Sequence, residues 1–501
     1  MGIIKPLKEW EEYIKFTDKY INCYSVNEYT ISNFFLHPTR PIIQTNRILV
    51  NLKNNSLLYN FKLRTKFYIS LLKTLLNIFK YNNEKKILEN KKEIYKKNYD
   101  VIFVTHLINE KQFESSVDNY FGGLINNASK KGLSVLLIFI PHIKSNKKEF
   151  IKYLKKEKGY DSFLLDESIT SFKVKYKTLI SLLRQRQKFL KLSRNISGYS
   201  SRLALYTAES FLNRNNFCNF IYGLQIGDII NNTKSKNIVT TFEGHNWERL
   251  FYFFSRKNNP SINCVGFQHS IIFKYQHSLT RLLRKEWNPD FILSSGDTST
   301  SFFLERISKE ISIKTLGSPK SNTSKNKKIN TNNRILFVPS GDEKEAYFFA
   351  KFAFNFAKKY PELKILIRFH PIINSKKFIK RFPKIENFSI SKSKIEYDSK
   401  QSRYVIYSTS TAVLESISLG CIPIRLNWNS VNDLSDPLWQ LKSELLKTID
   451  SHYDLIEIIY QNKYSDNNEY KLNKIYLKLN QDLEHLRFKL KKSVFYNILK
   501  K

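Results

Sequence analysis

Two series of short β-rich runs, each alternating with helical stretches, constrain the fold of this chain more than any other feature. The first series extends from "YDVIFVTHL" (99–107) to "ISIKTLGSP" (311–319), and the second from "RILFVPSG" (334–341) to "CIPIRLN" (421–427). Continuous apolar strands that alternate with helices are typical of parallel sheets with helices on both faces. We therefore predict an α/β protein with two Rossmann-like parallel-sheet lobes and a cleft between them.

The polar segment "PKSNTSKNKKINTNN" separates the two series and predicts a linker at 319–333. Helices are predicted at 117–132, 170–232 and 375–382, and the last 60 residues have a helical pattern throughout. The predicted domains are a basic helical extension (1–95), an N-terminal acceptor lobe (96–318), a C-terminal nucleotide-donor lobe (334–450) and C-terminal helices (451–501).

Cysteine usage and hydropathy indicate the compartment. The four cysteines have no spacing suited to a metal site or a redox pair, which fits a reducing cytosol. The N-terminal stretch lacks the apolar core of a signal peptide, and no run approaches the ~20 apolar residues of a membrane span. We expect a cytoplasmic protein.

The charge balance predicts an anionic partner. The chain has 83 Lys and Arg against 44 Asp and Glu, a net charge of +39, and such a surface attracts polyanions. Because the chain contains no zinc finger, ribonucleoprotein motif or basic zipper, the sequence argues against nucleic acid as a partner and favours an anionic inner-membrane surface. The segment "FYISLLKTLLNIFKY" (67–81) has the periodicity of a helix lying on such a membrane. The simpler interpretation is a helix packed on its own domain with its lysines in water.

Three polar clusters of the second series follow predicted strands, in "FVPSGDEKE", "LIRFHP" and "YSTSTAVLE". Because the carboxyl ends of parallel strands meet at one sheet edge, we expect the clusters to converge on a phosphate-bearing ligand. Their members are Ser340, Gly341, Arg368, His370, Pro371, Ser408, Thr409, Ser410 and Thr411. Taken singly, the hydroxyls are also typical of a helix cap, and a His before Pro is typical of a structural role.

The pattern "RFHP" followed by "STSTAVLESISLGCIPI" resembles the C-terminal half of bacterial surface-polysaccharide glycosyltransferases of the GT-B fold. Related patterns occur in CMP-sugar transferases and CDP-glycerol glycerophosphotransferases. The resemblance implies that the His-Pro pair and the hydroxyls of Ser408, Ser410 and Thr411 bind the donor nucleotide and its phosphate, with the Glu415 region closing the pocket. No Asp-X-Asp motif lies near a strand end, so we expect neither a metal nor a cofactor.

The first half has a signature of its own. "TFEGHNWERLFYFF" and "VGFQHSIIF" are similar to segments of surface carbohydrate biosynthesis proteins, which implies an acceptor-binding lobe. The acceptor-side residues would then be Gly244, Trp247, Gln268 and Ser270.

A sugar transfer needs a base for the acceptor hydroxyl and stabilisation of the leaving phosphate. Glu243 is the first choice for the base, because sialyltransferases have an acidic residue before Gly at a comparable position; Phe242 stands where a second acid is common there. His269 is the alternative base, and His370 would stabilise or protonate the leaving phosphate. Glu248 is open to a structural role, holding either Arg249 or a helix end.

The sequence therefore predicts a metal-independent glycosyltransferase that uses a nucleotide-sugar donor, CMP-linked by resemblance. The acceptor would be a lipid-linked or oligosaccharide precursor of a surface polysaccharide or lipopolysaccharide, at the inner face of the cytoplasmic membrane. Two alternatives stay open, a CDP-polyol phosphotransferase and a non-catalytic carbohydrate- or nucleotide-binding protein.

Overall fold

A computed structural model describes residues 4–22, 26–38, 57–79, 85–108, 112, 117–141, 147–154, 158–281, 283–320, 328–374, 381–428, 435–461 and 466–499. Within these ranges the strands form two sheets, and every strand pair in them is parallel.

The first sheet has seven strands in the order β3-β2-β1-β4-β5-β6-β7, which is a doubly wound Rossmann order extended by one strand. Its strands are β1 (Val101–Leu107), β2 (Val135–Pro141), β3 (Asp161–Leu164), β4 (Asn237–Thr241), β5 (Asn263–Phe267), β6 (Phe291–Ser294) and β7 (Ser312–Thr315). We call this sheet and the helices packed on it the first lobe.

The second sheet has six strands in the order β10-β9-β8-β11-β12-β13, the same Rossmann order. Its strands are β8 (Arg334–Phe337), β9 (Lys364–Ile367), β10 (Phe388–Ile390), β11 (Tyr404–Tyr407), β12 (Ile422–Leu426) and β13 (Lys447–Ile449). This sheet and its helices form the second lobe. The predicted α/β fold with two Rossmann-like parallel-sheet lobes is confirmed.

Helices cover both faces of the two sheets. Those in the described ranges are α1 (Ile4–Ile21), α2 (Glu28–Ile31), α3 (Leu57–Phe79), α4 (Lys85–Tyr95), α5 (Leu124–Lys130), α6 (Lys147–Leu154), α7 (Phe172–Asn195), α8 (Gly198–Ser210), α9 (Arg214–Thr233), α10 (Asn246–Asn258), α11 (Asp297–Arg306), α12 (Glu343–Lys359), α13 (Ile395–Lys400), α14 (Ala412–Ser418), α15 (His452–Gln461), α16 (Asp466–Leu486) and α17 (Lys492–Leu499). None of them is long and apolar enough to cross a bilayer.

The apolar run of β1 explains why the first sheet is buried on both sides. Ile102 and Val104 pack into one apolar core, while Val101 and Phe103, on the opposite side of the strand, pack into another. Since successive strand residues point to opposite faces, only a sheet covered on both faces can bury such a run.

The N-terminal helices contribute to the first of these cores. Trp10 of α1, Phe67 of α3 and Ile94 of α4 are buried in the same cluster as Ile102. One face of the region predicted as a basic extension therefore packs on the first lobe.

The chain crosses back to the first lobe near its C-terminal end. Leu486, the last residue of α16, lies in the core of the second lobe, whereas Phe495 of α17 lies in a core of the first. Between them the Phe488 N–H donates to the Ser295 carbonyl at 2.9 Å, and the Ser318 N–H donates to the Phe488 carbonyl at 2.8 Å. Residues 486–489 are thus held over the carboxyl-end edge of the first sheet.

Two local predictions differ from the structure, and a third is mostly untested by it. The helix predicted at 117–132 begins only at Leu124, because the Asp118 carboxylate accepts the N–H groups of Tyr120 and Phe121 at 2.8 Å and holds a turn there. The C-terminal region was predicted as helical, but β13 extends the second sheet. Most of the helix predicted at 375–382 lies outside the described residues.

Candidate active site

The two residues predicted as rival bases occupy one site. Glu243 and His269 each lie two residues beyond a strand, β4 and β5, and the ends of these strands pair as Thr241 with Phe267. The Glu243 carboxylate lies 3.0 Å from His245 Nε2 and 3.7 Å from His269 Nε2. A carboxylate and two imidazoles therefore converge at the carboxyl-end edge of the first sheet.

Glu248 holds the loop that carries Glu243. Its buried carboxylate accepts the backbone N–H groups of Glu243 at 2.9 Å, Gly244 at 2.7 Å and His245 at 2.9 Å. This arrangement includes a capping box at the start of α10. Burial raises the pKa of Glu248 to about 7, although the charge of His245 and the N–H donor of Glu243 oppose the rise. The contacts fit the structural role at a helix end that we considered for Glu248.

Gly244 allows this loop to pass close to a neighbouring segment. Its φ of +78° lies in the left-handed region, and a Cβ there would overlap the backbone carbonyl of Ser278. The Ser278 hydroxyl in turn donates to the Glu243 carbonyl at 3.0 Å.

We expect Gly244→Ala to lower the free energy of unfolding by roughly 2–4 kcal/mol, since left-handed strain adds to a backbone overlap. Urea denaturation monitored by circular dichroism would measure it. Gly132→Ala is the matched control, because Gly132 has a φ of +82° and nothing within 4 Å of the added Cβ. Equal losses in the two variants would contradict the close approach at Ser278.

The charges of the site follow from its contacts. The Glu243 side chain is 30% exposed. Its partial burial raises the pKa of the carboxyl, but the hydrogen bond with His245 and the charge of His269 outweigh this effect. The pKa of Glu243 therefore lies well below its usual range. Burial lowers the pKa of His269 to about 4. The negative charge of Glu243 opposes this shift, whereas the positive charges of Lys320 and Arg487 add to it. At neutral pH the site pairs a carboxylate with a neutral His269.

An aromatic wall borders this pair. The Tyr120 ring meets His269 edge-on with centroids 4.8 Å apart, and His106 lies 5.3 Å from Tyr120 and 5.0 Å from Trp247. Burial and the Glu243 charge raise the pKa of Tyr120. Trp247, predicted on the acceptor side, is buried next to His245. We did not predict His106 or Tyr120 as site residues, although His106 lies at the end of β1 on the same sheet edge.

Gln268 and Ser270 flank His269. The buried Gln268 side chain donates to the Ser270 carbonyl and accepts the Ser295 N–H at 3.0 Å, so it joins the loops that follow β5 and β6. The Ser270 hydroxyl hydrogen-bonds the Glu243 carboxylate, which helps to lower its pKa. Ile271 next to it is buried in the core of the second lobe, so this loop bridges the two lobes.

The predicted donor residues also converge, around a carboxylate that the sequence did not reveal. Buried Glu345 accepts the Ser340 N–H at 3.0 Å, the Ser340 hydroxyl at 2.6 Å and the Thr409 hydroxyl at 2.8 Å. Burial raises the pKa of Glu345 against these hydrogen bonds. A Cβ on Gly341 would lie 3.3 Å from His370 Nδ1, so all three predicted loops share one edge of the second sheet.

The four hydroxyl residues before α14 differ in burial and in hydrogen bonding. Ser408 and Ser410 are buried, Thr409 is bound to Glu345, and Thr411 is exposed. Thr411 occupies the N-cap position, but its side chain makes no cap hydrogen bond. The expectation that a hydroxyl of this cluster caps the helix is therefore wrong for Thr411.

His370 and Arg368 follow β9 with different surroundings. His370 and Pro371 are exposed, on the edge that carries Gly341. Arg368 Nη1 lies 3.1 Å from an oxygen of the buried Asp398 and 3.4 Å from the Ser391 hydroxyl. Its guanidinium is thus engaged beside β10, and its predicted contact with a phosphate would need a rearrangement.

Arg487 joins the two groups of residues and was not predicted. Its side chain is 5% exposed, and within the described ranges its Nε and Nη1 atoms have no hydrogen-bond acceptor. Burial lowers the pKa of Arg487, and the negative charge of Glu415 opposes this. Its positive charge also reaches His269. A buried cation therefore interacts electrostatically with both His269 of the first lobe and Glu415 of the second.

Metal ligation has no ready site in the part of the chain that the structure describes, where no group of three or more His, Cys, Asp or Glu side chains could hold a metal ion.

Comparison with known proteins gives matches in structure alone. No protein-family model matches the chain, and no curated protein is similar to it in sequence. UDP-GlcNAc 2-epimerase from Methanocaldococcus jannaschii, solved with UDP-GlcNAc and UDP, is 10% identical with a TM-score of 0.43, over 76% of this chain and 99% of that one. The epimerase from Neisseria meningitidis bound to UDP-GlcNAc is 10% identical with a TM-score of 0.47, over 80% and 100%. The calicheamicin glycosyltransferase is 10% identical with a TM-score of 0.45, over 80% and 98%.

Proposed function

We propose that this chain is a glycosyltransferase that moves a sugar from a nucleotide-sugar donor to an acceptor hydroxyl. The observation that carries the proposal is the pairing of the Glu243 carboxylate with a neutral His269, close to the buried guanidinium of Arg487, whose Nε and Nη1 have no acceptor in the part of the chain that the structure describes. A proton acceptor and a cation at one site are what this reaction needs. The CMP-linked donor and the surface-polysaccharide or lipopolysaccharide acceptor are proposed from the sequence resemblance.

Each of these side chains has a role in the proposed reaction. Glu243 or His269 takes the proton of the acceptor hydroxyl, whose oxygen forms a bond to the anomeric carbon. The bond from that carbon to the phosphate oxygen breaks, and its electron pair leaves with the nucleotide. Arg487 and His370 offset the negative charge that develops on the leaving phosphate. This electrostatic stabilisation is strongest in a site from which water is excluded. The hydroxyls of Ser408, Ser410 and Thr411 complete the donor site.

Glu243 and His269 are both candidates for the base, and the proposed reaction uses both. A gap of 3.7 Å between the Glu243 carboxylate and His269 Nε2 is long for a direct hydrogen bond. An acceptor hydroxyl beside the pair lies within reach of both groups and donates its proton to one of them. We therefore assign the two residues jointly to the acceptor hydroxyl.

We expect kcat/KM to fall on acidification with a midpoint near pH 4, because protonated His269 cannot accept a proton and its pKa is lowered to about 4. An ordinary His would lose its base form already near pH 6.5. Titration of the His269 ring by NMR would measure the pKa directly. In Glu243→Gln the midpoint should move still lower, because the Glu243 charge stabilises the imidazolium. A midpoint near pH 6.5 in both proteins would contradict the assigned environment of His269.

Product analysis tests the proposed reaction. The full chain would be incubated with a short oligosaccharide acceptor and CMP-, UDP- or GDP-linked sugars, or with CDP-glycerol, and the products weighed by mass spectrometry. A product heavier by one sugar residue supports the glycosyltransferase. Addition of glycerol phosphate would instead identify the polyol phosphotransferase, and nucleotide binding without any product would identify the non-catalytic alternative.

A further inference from the structure

Helix α3 exposes an apolar stripe along its length. Its large apolar side chains on this side are between 48% and 71% exposed. They are Phe61, Tyr68, Ile69, Leu72, Leu76 and Phe79. At about 100° of rotation per residue, all six fall within roughly 100° of arc, over about 27 Å of helix. The stripe is continuous from Tyr68 to Phe79, whereas the exposed Thr65 separates Phe61 from it. A continuous patch of this kind differs from the isolated exposed apolar residues found on most protein surfaces.

The opposite side of α3 packs on the first lobe. Leu63, Phe67, Thr74 and Ile78 are buried and lie on the helix face turned away from the stripe. Arg186 of α7 stacks over the Phe67 ring, with its guanidinium carbon 3.7 Å from the centroid. The helix is thus attached through one apolar side and presents a second one outward.

The charged residues of α3 are all cationic. Lys62, Arg64, Lys66 and Lys73 are exposed, and the helix contains no Asp or Glu. Lysines beside an apolar stripe can reach anionic headgroups while the apolar side chains enter the boundary with the acyl chains. A net charge of +39 over the whole chain favours the same surface.

The stripe continues onto the start of α7. Phe172 and Tyr176 are 46% and 51% exposed, and the Phe172 ring lies 5.6 Å from that of Phe79. Lys173 and Lys177 between and beside them are exposed as well. Aromatic rings next to lysines are typical of segments that lie at a membrane interface. The apolar surface therefore extends over two helices at one end.

From the stripe and its flanking cations we infer that α3 and the start of α7 form a docking surface for the anionic lipid bilayer. The helix lies in the interface plane with its apolar side chains among the upper acyl segments. This combines the two interpretations of the 67–81 segment, because one side of the helix packs on its own domain and the other binds lipid. The inference is independent of the transferase activity, since a chain that transfers nothing could still dock.

Vesicle flotation tests this surface with the full chain. Vesicles of phosphatidylglycerol and phosphatidylethanolamine should carry the wild type, and Leu72→Ser/Leu76→Ser should lower the partition coefficient at least about tenfold, because each leucine loses most of its transfer free energy. Leu304→Ser is the matched control, since Leu304 is 65% exposed on α11, outside the stripe, and should leave binding unchanged.

The charge contribution has its own variant. The triple variant Lys62→Gln/Lys66→Gln/Lys73→Gln should weaken binding to anionic vesicles about tenfold or more, because it removes three cations that attract the lipid headgroups. For the wild type, about 0.5 M salt should weaken binding to a similar extent, because salt screens the same attraction. Equal binding to phosphatidylcholine vesicles, or unchanged flotation of the leucine variant, would overturn the proposal. So would a wild-type dimer in size-exclusion chromatography that the leucine variant alone converts to monomer, because the stripe would then join two copies of the chain.

Discussion

Glu243→Gln should reduce the rate of sugar transfer by roughly 10²–10⁴-fold, the usual contribution of a positioned general base. The amide keeps the size of the side chain but cannot take a proton from the acceptor hydroxyl. Nucleotide affinity should be unchanged, because Glu243 lies at the edge of the first sheet, apart from the predicted donor residues of the second. Single-turnover transfer and nucleotide titration on the same preparation would separate the two effects.

Two further variants sharpen this result. Glu305→Gln is the matched control, because Glu305 is an exposed residue of α11 and its variant should transfer at the wild-type rate. His269→Ala should lose as much transfer as Glu243→Gln if the pair acts as a unit, and the double variant should lose little more. Full transfer by Glu243→Gln with loss in His269→Ala would assign the base to His269 alone.

Arg487→Met should raise protein stability while it weakens nucleotide binding. A buried guanidinium whose Nε and Nη1 have no hydrogen-bond acceptor among the described residues costs free energy in the folded protein, and Met retains the apolar stem. We expect the free energy of unfolding to rise by about 1–3 kcal/mol, within the range seen when buried charges give way to apolar residues. Loss of its charge-assisted hydrogen bonds to phosphate should raise the nucleotide Kd about 10–100-fold.

The prediction is specific because stability should rise while nucleotide affinity falls. Arg306→Met is the control, because Arg306 is 44% exposed and pairs with Glu305 on the surface, so neither quantity should change by much. A less stable Arg487→Met protein with unchanged nucleotide affinity would show that Arg487 is structural. Arg487→Lys should recover part of the affinity, since it keeps the charge without the planar fork.

The alternation of strands and helices was enough to predict both sheets. Runs such as residues 101–104 of β1 are apolar at every position because both faces of the strand are covered, and this pattern is visible without a structure. Strand β13 was missed because it has three residues, of which only Ile449 is buried. Short edge strands depend on the neighbouring strand rather than on their own pattern.

The sequence could predict those parts of the candidate site that lie directly after strands. Glu243 and His269 could be placed at one sheet edge from the sequence, but their pairing depends on the register of β4 with β5 and on the loop that Glu248 holds. The sequence favoured Trp247 and Gln268 as acceptor contacts, whereas both are buried and pack or hydrogen-bond within the first lobe. Whether either contacts an acceptor stays a prediction.

Glu345 and Arg487 could not be recognised from the sequence because burial alone distinguishes them. Glu345 occurs in "DEKEAY", a pattern typical of the exposed first turn of a helix, but its carboxylate is buried and holds two loops together. Arg487 is one of 83 Lys and Arg residues, most of which serve as surface charge in such a basic chain. Only the crossing of residues 486–489 over the first sheet makes it a buried cation.

Calorimetric titration of the full chain with CMP, CDP, UDP and GDP tests the central claim, that the region between the lobes is a nucleotide-donor site, most directly. We predict saturable binding of one nucleotide per chain with CMP the tightest ligand, unchanged affinity in Glu243→Gln and a Kd at least about tenfold higher in Arg487→Met. Absence of binding by all four nucleotides at millimolar concentration, or equal affinity in the wild type and Arg487→Met, would contradict it.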